Sequence, residues 1–146
     1  MATTRGIRNN NPANIRRSSD KWQGLAPQQT DRAFFQFVAM TYGVRALIKT
    51  LYTYVHKYSL RTNTAIVNRF CPSGDGNNNP TAYVRTIDAI MARKYTNVIY
   101  TEQDFETGSR KLYLLCCAMC QIESRYTLSE VVFKNALRLC EFYKGV

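Results

Sequence analysis

Long hydrophobic runs are missing from this 146-residue sequence. No stretch approaches the roughly 20 apolar residues that a membrane-spanning helix needs, so an integral membrane protein is not expected. The opening Met1-Ala2-Thr3-Thr4-Arg5-Gly6 has no apolar core and does not read as a signal peptide. A Gly-rich phosphate loop of either standard spacing is absent, which argues against nucleotide chemistry. Histidine is confined to His56, late in an amphipathic pattern, where a surface or helix-end role is expected. Acids are scarce as well: ten Asp and Glu stand against twenty Lys and Arg, a formal net charge of +10. That imbalance favours an anionic partner, whether nucleic acid, a membrane surface or the bacterial cell wall, without choosing among them.

Five cysteines are present, at 71, 116, 117, 120 and 140. Cys117 and Cys120 have the Cys-x-x-Cys spacing that can begin a zinc site, but a second pair and a set of histidines are lacking. Cys116 and Cys120 lie one helical turn apart, so buried core thiols are the expectation, with no metal and no cofactor. The odd count favours reduced thiols in a cytosolic setting.

Apolar residues make up 45% of the chain and charged residues 21%, an ordinary globular balance that suits a single domain over 1–146. Residues 1–40 are polar and turn-rich, and read as loop or short strands, with Ala33-Phe34-Phe35-Gln36-Phe37-Val38 as the strand candidate. Residues 41–146 read as a helical core. Val44, Leu47, Ile48, Leu51, Tyr52 and Val55 recur at three- and four-residue steps and predict a helix from Thr41. Thr62 or Asn63 is placed to cap a short helix carrying Ile66, Val67 and Phe70. The 72–79 stretch reads as a loop, and Asn79-Pro80 as a helix start for Tyr83, Val84, Ile87, Ile90 and Met91. A turn of helix is expected after Thr101, and an apolar, well-buried helix over Leu112–Ile122. Thr127-Leu128-Ser129-Glu130 fits a capping box before a last helix with Val131, Val132, Ala136 and Leu139 on its stripe.

Few residues suggest chemistry. Arg5, Arg8, Arg16, Arg17 and Lys21 cluster near Trp22 and Phe34, a pattern of cations and aromatics that suits nucleic acid. The remaining cations are scattered along the chain, which argues against a dedicated recognition element. Glycosidic chemistry needs a carboxyl held protonated, commonly with a second one ionised. Glu123 closes an apolar helix, where desolvation would raise its pKa and suit a general acid; the residues alone favour the plainer reading, a helix-end acid paired with Arg125. Asp20 and Asp31 lie in the polar amino-terminal segment, as site acids or as turn formers. Asp75 is read as a turn residue.

The segment Gly6-Ile7-Arg8-Asn9-Asn10-Asn11-Pro12-Ala13-Asn14-Ile15-Arg16 resembles the R-N-N-N-P-x-N-I-R opening of small phage and prophage proteins. These are labelled virion structural proteins, or lysozyme-like or lytic-transglycosylase-like domains. The resemblance continues through Trp22-Gln23-Gly24, Phe34-Phe35-Gln36-Phe37, Tyr42-Gly43-Val44-Arg45-Ala46 and Ile66-Val67-Asn68-Arg69-Phe70, and ends at Ala118-Met119-Cys120-Gln121-Ile122-Glu123. Two departures stand out. Relatives often carry a glutamate just before the Gly-Ile-Arg-Ala segment, where this chain has Ala39-Met40-Thr41-Tyr42. They also often read Trp-Ala-Pro-Pro-x-Glu-Asn where this chain has Phe70-Cys71-Pro72-Ser73-Gly74-Asp75.

The resemblance implies a mainly α, α+β lysozyme-like fold and a muramidase or lytic transglycosylase acting on peptidoglycan. Glu123 would be the general acid, with Asp31 or Asp20 as second carboxylate. Asn10, Asn11, Asn14, Arg16, Gln36 and Tyr83 would contact the sugars, and Trp22 would either stack on a sugar face or anchor the amino-terminal segment. The implied setting is the host cytoplasm or the virion, with action at the cell wall and other virion proteins as further partners. The alternative is a virion or mobile-element structural module that binds glycan or nucleic acid without chemistry.

Overall fold

In a computed structural model, residues 3–71, 79–91 and 97–145 are described. The 72–78 part of the expected loop, with Asp75, lies outside the described residues. Seven helices are present among those described: α1 (Arg5–Arg8), α2 (Met40–His56), α3 (Asn63–Phe70), α4 (Pro80–Met91), α5 (Glu102–Thr107), α6 (Arg110–Ser124) and α7 (Glu130–Arg138). The protein is therefore mainly helical. None of these helices is long and apolar enough to cross a membrane.

Local chemistry sets most of the boundaries. Thr62 caps α3 by accepting from Ala65 N at 3.1 Å, and Asn79 caps α4 by accepting from Ala82 N at 3.1 Å. The Asp104 carboxylate accepts from Thr101 N at 2.8 Å and starts α5. At α7 the cap is Ser129, which accepts from Val132 N at 3.2 Å, and not Thr127. The face of α7 also differs from the expected stripe. Phe133, Ala136, Leu137 and Cys140 are buried, while Val131 is 69% exposed and Leu139 38% exposed. The buried set follows the i, i+3, i+4, i+7 spacing of one helical face, whereas Val131 and Val132 are adjacent and point 100° apart.

Helix α2 packs against α5 and α7, and α6 packs against α1, α4 and α5. Leu47, Ile48 and Leu51 of α2 and Leu112, Leu115, Cys116 and Met119 of α6 are fully buried in one continuous core. Burying each such side chain contributes about 1.5–3 kcal/mol. Cys71, Cys116, Cys120 and Cys140 are buried thiols and Cys117 is half-buried, as the helical spacing suggests.

Residues 9–39 form an ordered loop layer over α2. The expected strand reduces to two isolated antiparallel bridges, Arg16 with Phe34 and Leu25 with Phe37. Phe35, Phe37 and Ala46 make a second small core beneath this layer, with Trp22 packed on it. The short helix α1 was not legible as a period because it is a single turn, capped by Thr4.

Two glycines let this layer dock. A Cβ on Gly43 would lie 1.9 Å from the Asn10 carbonyl oxygen, and one on Gly6 would lie 1.7 Å from Ser124 Oγ. At Gly43 the clash is with the Asn10 backbone, which is not free to give way. Gly43→Ala should lower the melting temperature by several degrees and detach the amino-terminal layer from α2. Hydrogen exchange over residues 9–16 reads this directly, and unchanged protection there would refute it.

Away from the groove described below, Glu102 bridges Arg61 (3.0 Å) and His56 (3.2 Å) across the start of α5. The Arg61 hydrogen bond is the main cause of its carboxyl pKa falling to about 2. A depressed carboxylate stabilises the fold above its unfolded pKa and loses that contribution as pH falls through the folded value. Melting temperature should therefore drop as pH goes from about 4.5 to 2. Glu102→Gln should flatten that part of the curve, and an identical acid limb in the variant would disprove the assignment.

Candidate functional site

Glu123 sits one residue before the end of α6 and is half-buried. The amino-terminal motif holds this helix end in place. Thr4 Oγ1 donates to the Ser124 carbonyl at 2.6 Å, Gly6 packs on Ser124, and Asn14 Nδ2 donates to the Glu123 carbonyl at 3.0 Å. Asn14 Nδ2 also reaches Glu123 Oε1 at 3.4 Å. Asn14 takes a left-handed backbone (φ 53°), a conformation that asparagine tolerates better than most residues. Arg125 takes the left-handed C-cap position of α6 (φ 53°).

Burial pushes the Glu123 carboxyl pKa up from its ordinary value. The Tyr83 hydroxyl, the Asn14 amide and the Arg16 charge pull the other way, and burial outweighs them. Tyr83 is only 6% exposed, and its hydroxyl has no hydrogen bond of normal geometry. Asn14 Oδ1 and Ser124 Oγ are likewise buried without a partner among the described residues. Unsatisfied polar atoms are uncommon in a folded interior, and two of these, on Tyr83 and Asn14, belong to residues that adjoin the Glu123 carboxyl.

Two surface cavities meet at Glu123. One, of about 310 Å³, lies between α6 and the start of α4 and is walled by Cys71, Asn79, Ala82, Tyr83, Thr86 and Ile122. The other, of about 290 Å³, is walled by Asn14, Ile15, Arg16, Phe34, Thr50, Tyr54, Phe70 and Cys71. Among the described residues lining both, Glu123 is the single carboxylate. The second cavity shares Ile15, Arg16, Thr50 and Tyr54 with a larger one of about 800 Å³, so the three adjoin one another along a grooved surface. This larger arm is basic. Arg16, Arg17 and Lys21 come from the loop layer, Arg45 and Lys49 from α2, and Arg69 from α3.

The structure thus brings Glu123, Asn14, Arg16 and Tyr83 together and places Trp22 and Asp20 further along, in the basic arm. The remaining expected site residues are engaged elsewhere. Asp31 accepts two hydrogen bonds from Arg5 (2.7 and 2.6 Å), one from Asn9 (2.9 Å) and two from the Ala33 and Phe34 amides. These bonds, led by Arg5, hold its pKa far below the carboxylate range, so it stays ionised as a brace for the loop. Asn10 donates to the Phe37 carbonyl, and Asn11 bonds the backbone of Ile15 and Phe35. Gln36 bonds Asn9, Thr30 and Asp31. Trp22 packs the layer on the small core, with a buried indole nitrogen that has no partner among the described residues. Arg16, Arg17 and Lys21 of the arm belong to the amino-terminal basic cluster singled out in the sequence, whereas Arg45, Lys49 and Arg69 were counted among the scattered cations because they come from separated segments.

Fold and groove together define a small, basic, mainly helical protein with the half-buried carboxyl of Glu123 held at the end of α6. A phage protein is similar to it in sequence. The chain is 33% identical over 116 residues to Protein P5 of Pseudoalteromonas phage PM2, covering 72% of this chain and 72% of that protein. It belongs to the family of that phage protein, which agrees with the phage resemblance of the opening motif. No protein-family model matches the chain.

Proposed function

We propose that this phage-type protein cleaves the glycan strands of peptidoglycan, with Glu123 as acid and base in turn. The observation that carries this reading is the half-buried carboxyl with a raised pKa, set in a groove with no second carboxylate beside it among the described residues. A protonated Glu123 gives its proton to the glycosidic oxygen as the C1–O bond breaks. The resulting carboxylate then takes the proton from the sugar's own 6-hydroxyl as that oxygen bonds to C1. The product is an anhydro sugar, Glu123 is protonated again, and no water has to be activated. This is a lytic-transglycosylase route; a muramidase would need a second group to position water. Asn14 and Tyr83 act as positioning residues, because both adjoin the carboxyl and neither has a proton to exchange near neutral pH.

The test is incubation with purified cell walls and analysis of the soluble fragments. Anhydro-ended fragments support the route above, and reducing ends support a hydrolase. A second reading draws on the basic arm: a virion structural module, docked on other virion proteins, that holds glycan or nucleic acid without cutting. Retention on walls with no released fragment would select it.

A further inference from the structure

The basic arm is larger than the two cavities at Glu123, and the cleavage chemistry makes no use of it. Arg16 adjoins Glu123, and few other carboxylates among the described residues line the arm. Asp20 lines the arm and is held by Ser18, while Lys49 pairs with Glu141. Lys21, Arg17 and Arg69 are exposed. Bare N-acetyl sugars are neutral, so a glycan backbone alone gives no reason for such a surface. The peptide stems that hang from muramic acid do, because each carries several free carboxylates close to the strand.

We propose that the basic arm binds the carboxylates of the peptide stem on a sugar lying in the Glu123 cavities. This deepens, and rests on, the reading of the groove as a glycan-strand site. The adjacency of the two cavities supports it: Ile15, Arg16, Thr50 and Tyr54 line both the arm and the Glu123 cavity, which places the arm within reach of a stem on a sugar held there. The aromatics favour a peptide over a nucleic acid. Single-stranded nucleic acid needs open ring faces on which bases stack. Here Arg69 lies over Tyr58 at 4.1 Å and over Tyr54 at 5.7 Å, and Trp22 is packed on the small core. A recessed groove also has no projecting element to enter a duplex. Arg69 held on two rings, and Arg16 over Phe34 at 5.5 Å, are cations with part of their motion already removed.

The test uses N-acetylmuramyl peptide, which has no glycosidic bond to break, so binding is read apart from catalysis. Wild-type protein should bind the free-acid form at least tenfold more tightly than the form with its carboxylates amidated. The difference should shrink with added salt. The triple variant R17Q/K21Q/R69Q should lose about tenfold in affinity for the free-acid form and little for the amidated one, as expected for a few exposed cation–carboxylate contacts. K21Q alone, at an exposed site, should lose two- to threefold and guards against misfolding of the triple variant. Equal binding of the two ligand forms would overturn the proposal. So would tighter binding of a single-stranded oligonucleotide, which would assign the arm to nucleic acid. If walls are not cut but the free-acid form is preferred, glycan cleavage fails and the stem site stands; if walls are cut with no preference, the reverse holds.

Discussion

Glu123→Gln should reduce release of fragments from purified walls by about 10²–10⁴-fold, the usual contribution of a positioned acid–base group. Glutamine keeps the shape and can still accept from Asn14, so the groove should not change. The stability readout has the opposite sign from that of a structural residue. A carboxyl whose pKa is raised by burial costs the fold stability once pH exceeds that pKa, because the ionised form is poorly solvated. Removing the charge should therefore leave the melting temperature at pH 7–8 unchanged or higher. The wild-type kcat/KM should fall on the alkaline side at a pH above the ordinary glutamate range, since the acid must be protonated to act and burial raises its pKa. A variant that keeps more than a tenth of the wild-type rate would remove Glu123 as the acid. A variant that melts far below wild type would instead make Glu123 a structural residue.

The helices were largely legible because their causes are local. The stripe from Val44 to Val55, the Thr62 and Asn79 caps, and the apolar run from Leu112 act within a turn or two of chain, and all correspond to observed elements. The orientation of α7 was read less well. Its cap moved by two residues to Ser129, and the packing against α2 selects Phe133, Leu137 and Cys140 over the valines. At the site, Glu123 could be singled out because a lone acid at the end of an apolar helix has a physical consequence. The basic arm was legible only by half. Arg16, Arg17 and Lys21 cluster in sequence, but Arg45, Lys49 and Arg69 look scattered, and only the docking of the loop layer on α2 and α3 gathers them with the cluster. The asparagines of the opening motif were open to two readings, since the same amide that can bind a sugar can also satisfy buried backbone.

That choice is decided by Asn11→Ala. Asn11 is completely buried, donates to the Ile15 and Phe35 carbonyls (3.0 and 2.9 Å), and accepts from the Ile15 amide at 2.9 Å. The Ile15 carbonyl keeps a second donor in the Phe35 amide at 3.1 Å, so alanine strands the Ile15 N–H and the Phe35 carbonyl. Each buried orphan costs about 1–3 kcal/mol, so a loss of about 3–4 kcal/mol is expected, or roughly 10 °C in melting temperature for a chain of this size. Function should fail with it. The Asn11 carbonyl accepts from the Asn14 amide at 3.0 Å, and Asn14 is the residue that ties the loop layer to the Glu123 backbone. Loosening this turn should therefore lower kcat even at temperatures where the protein remains folded. A sugar-contacting Asn11 would behave differently, with a raised KM and an unchanged melting temperature. That result would move the motif from the frame of the site to its surface.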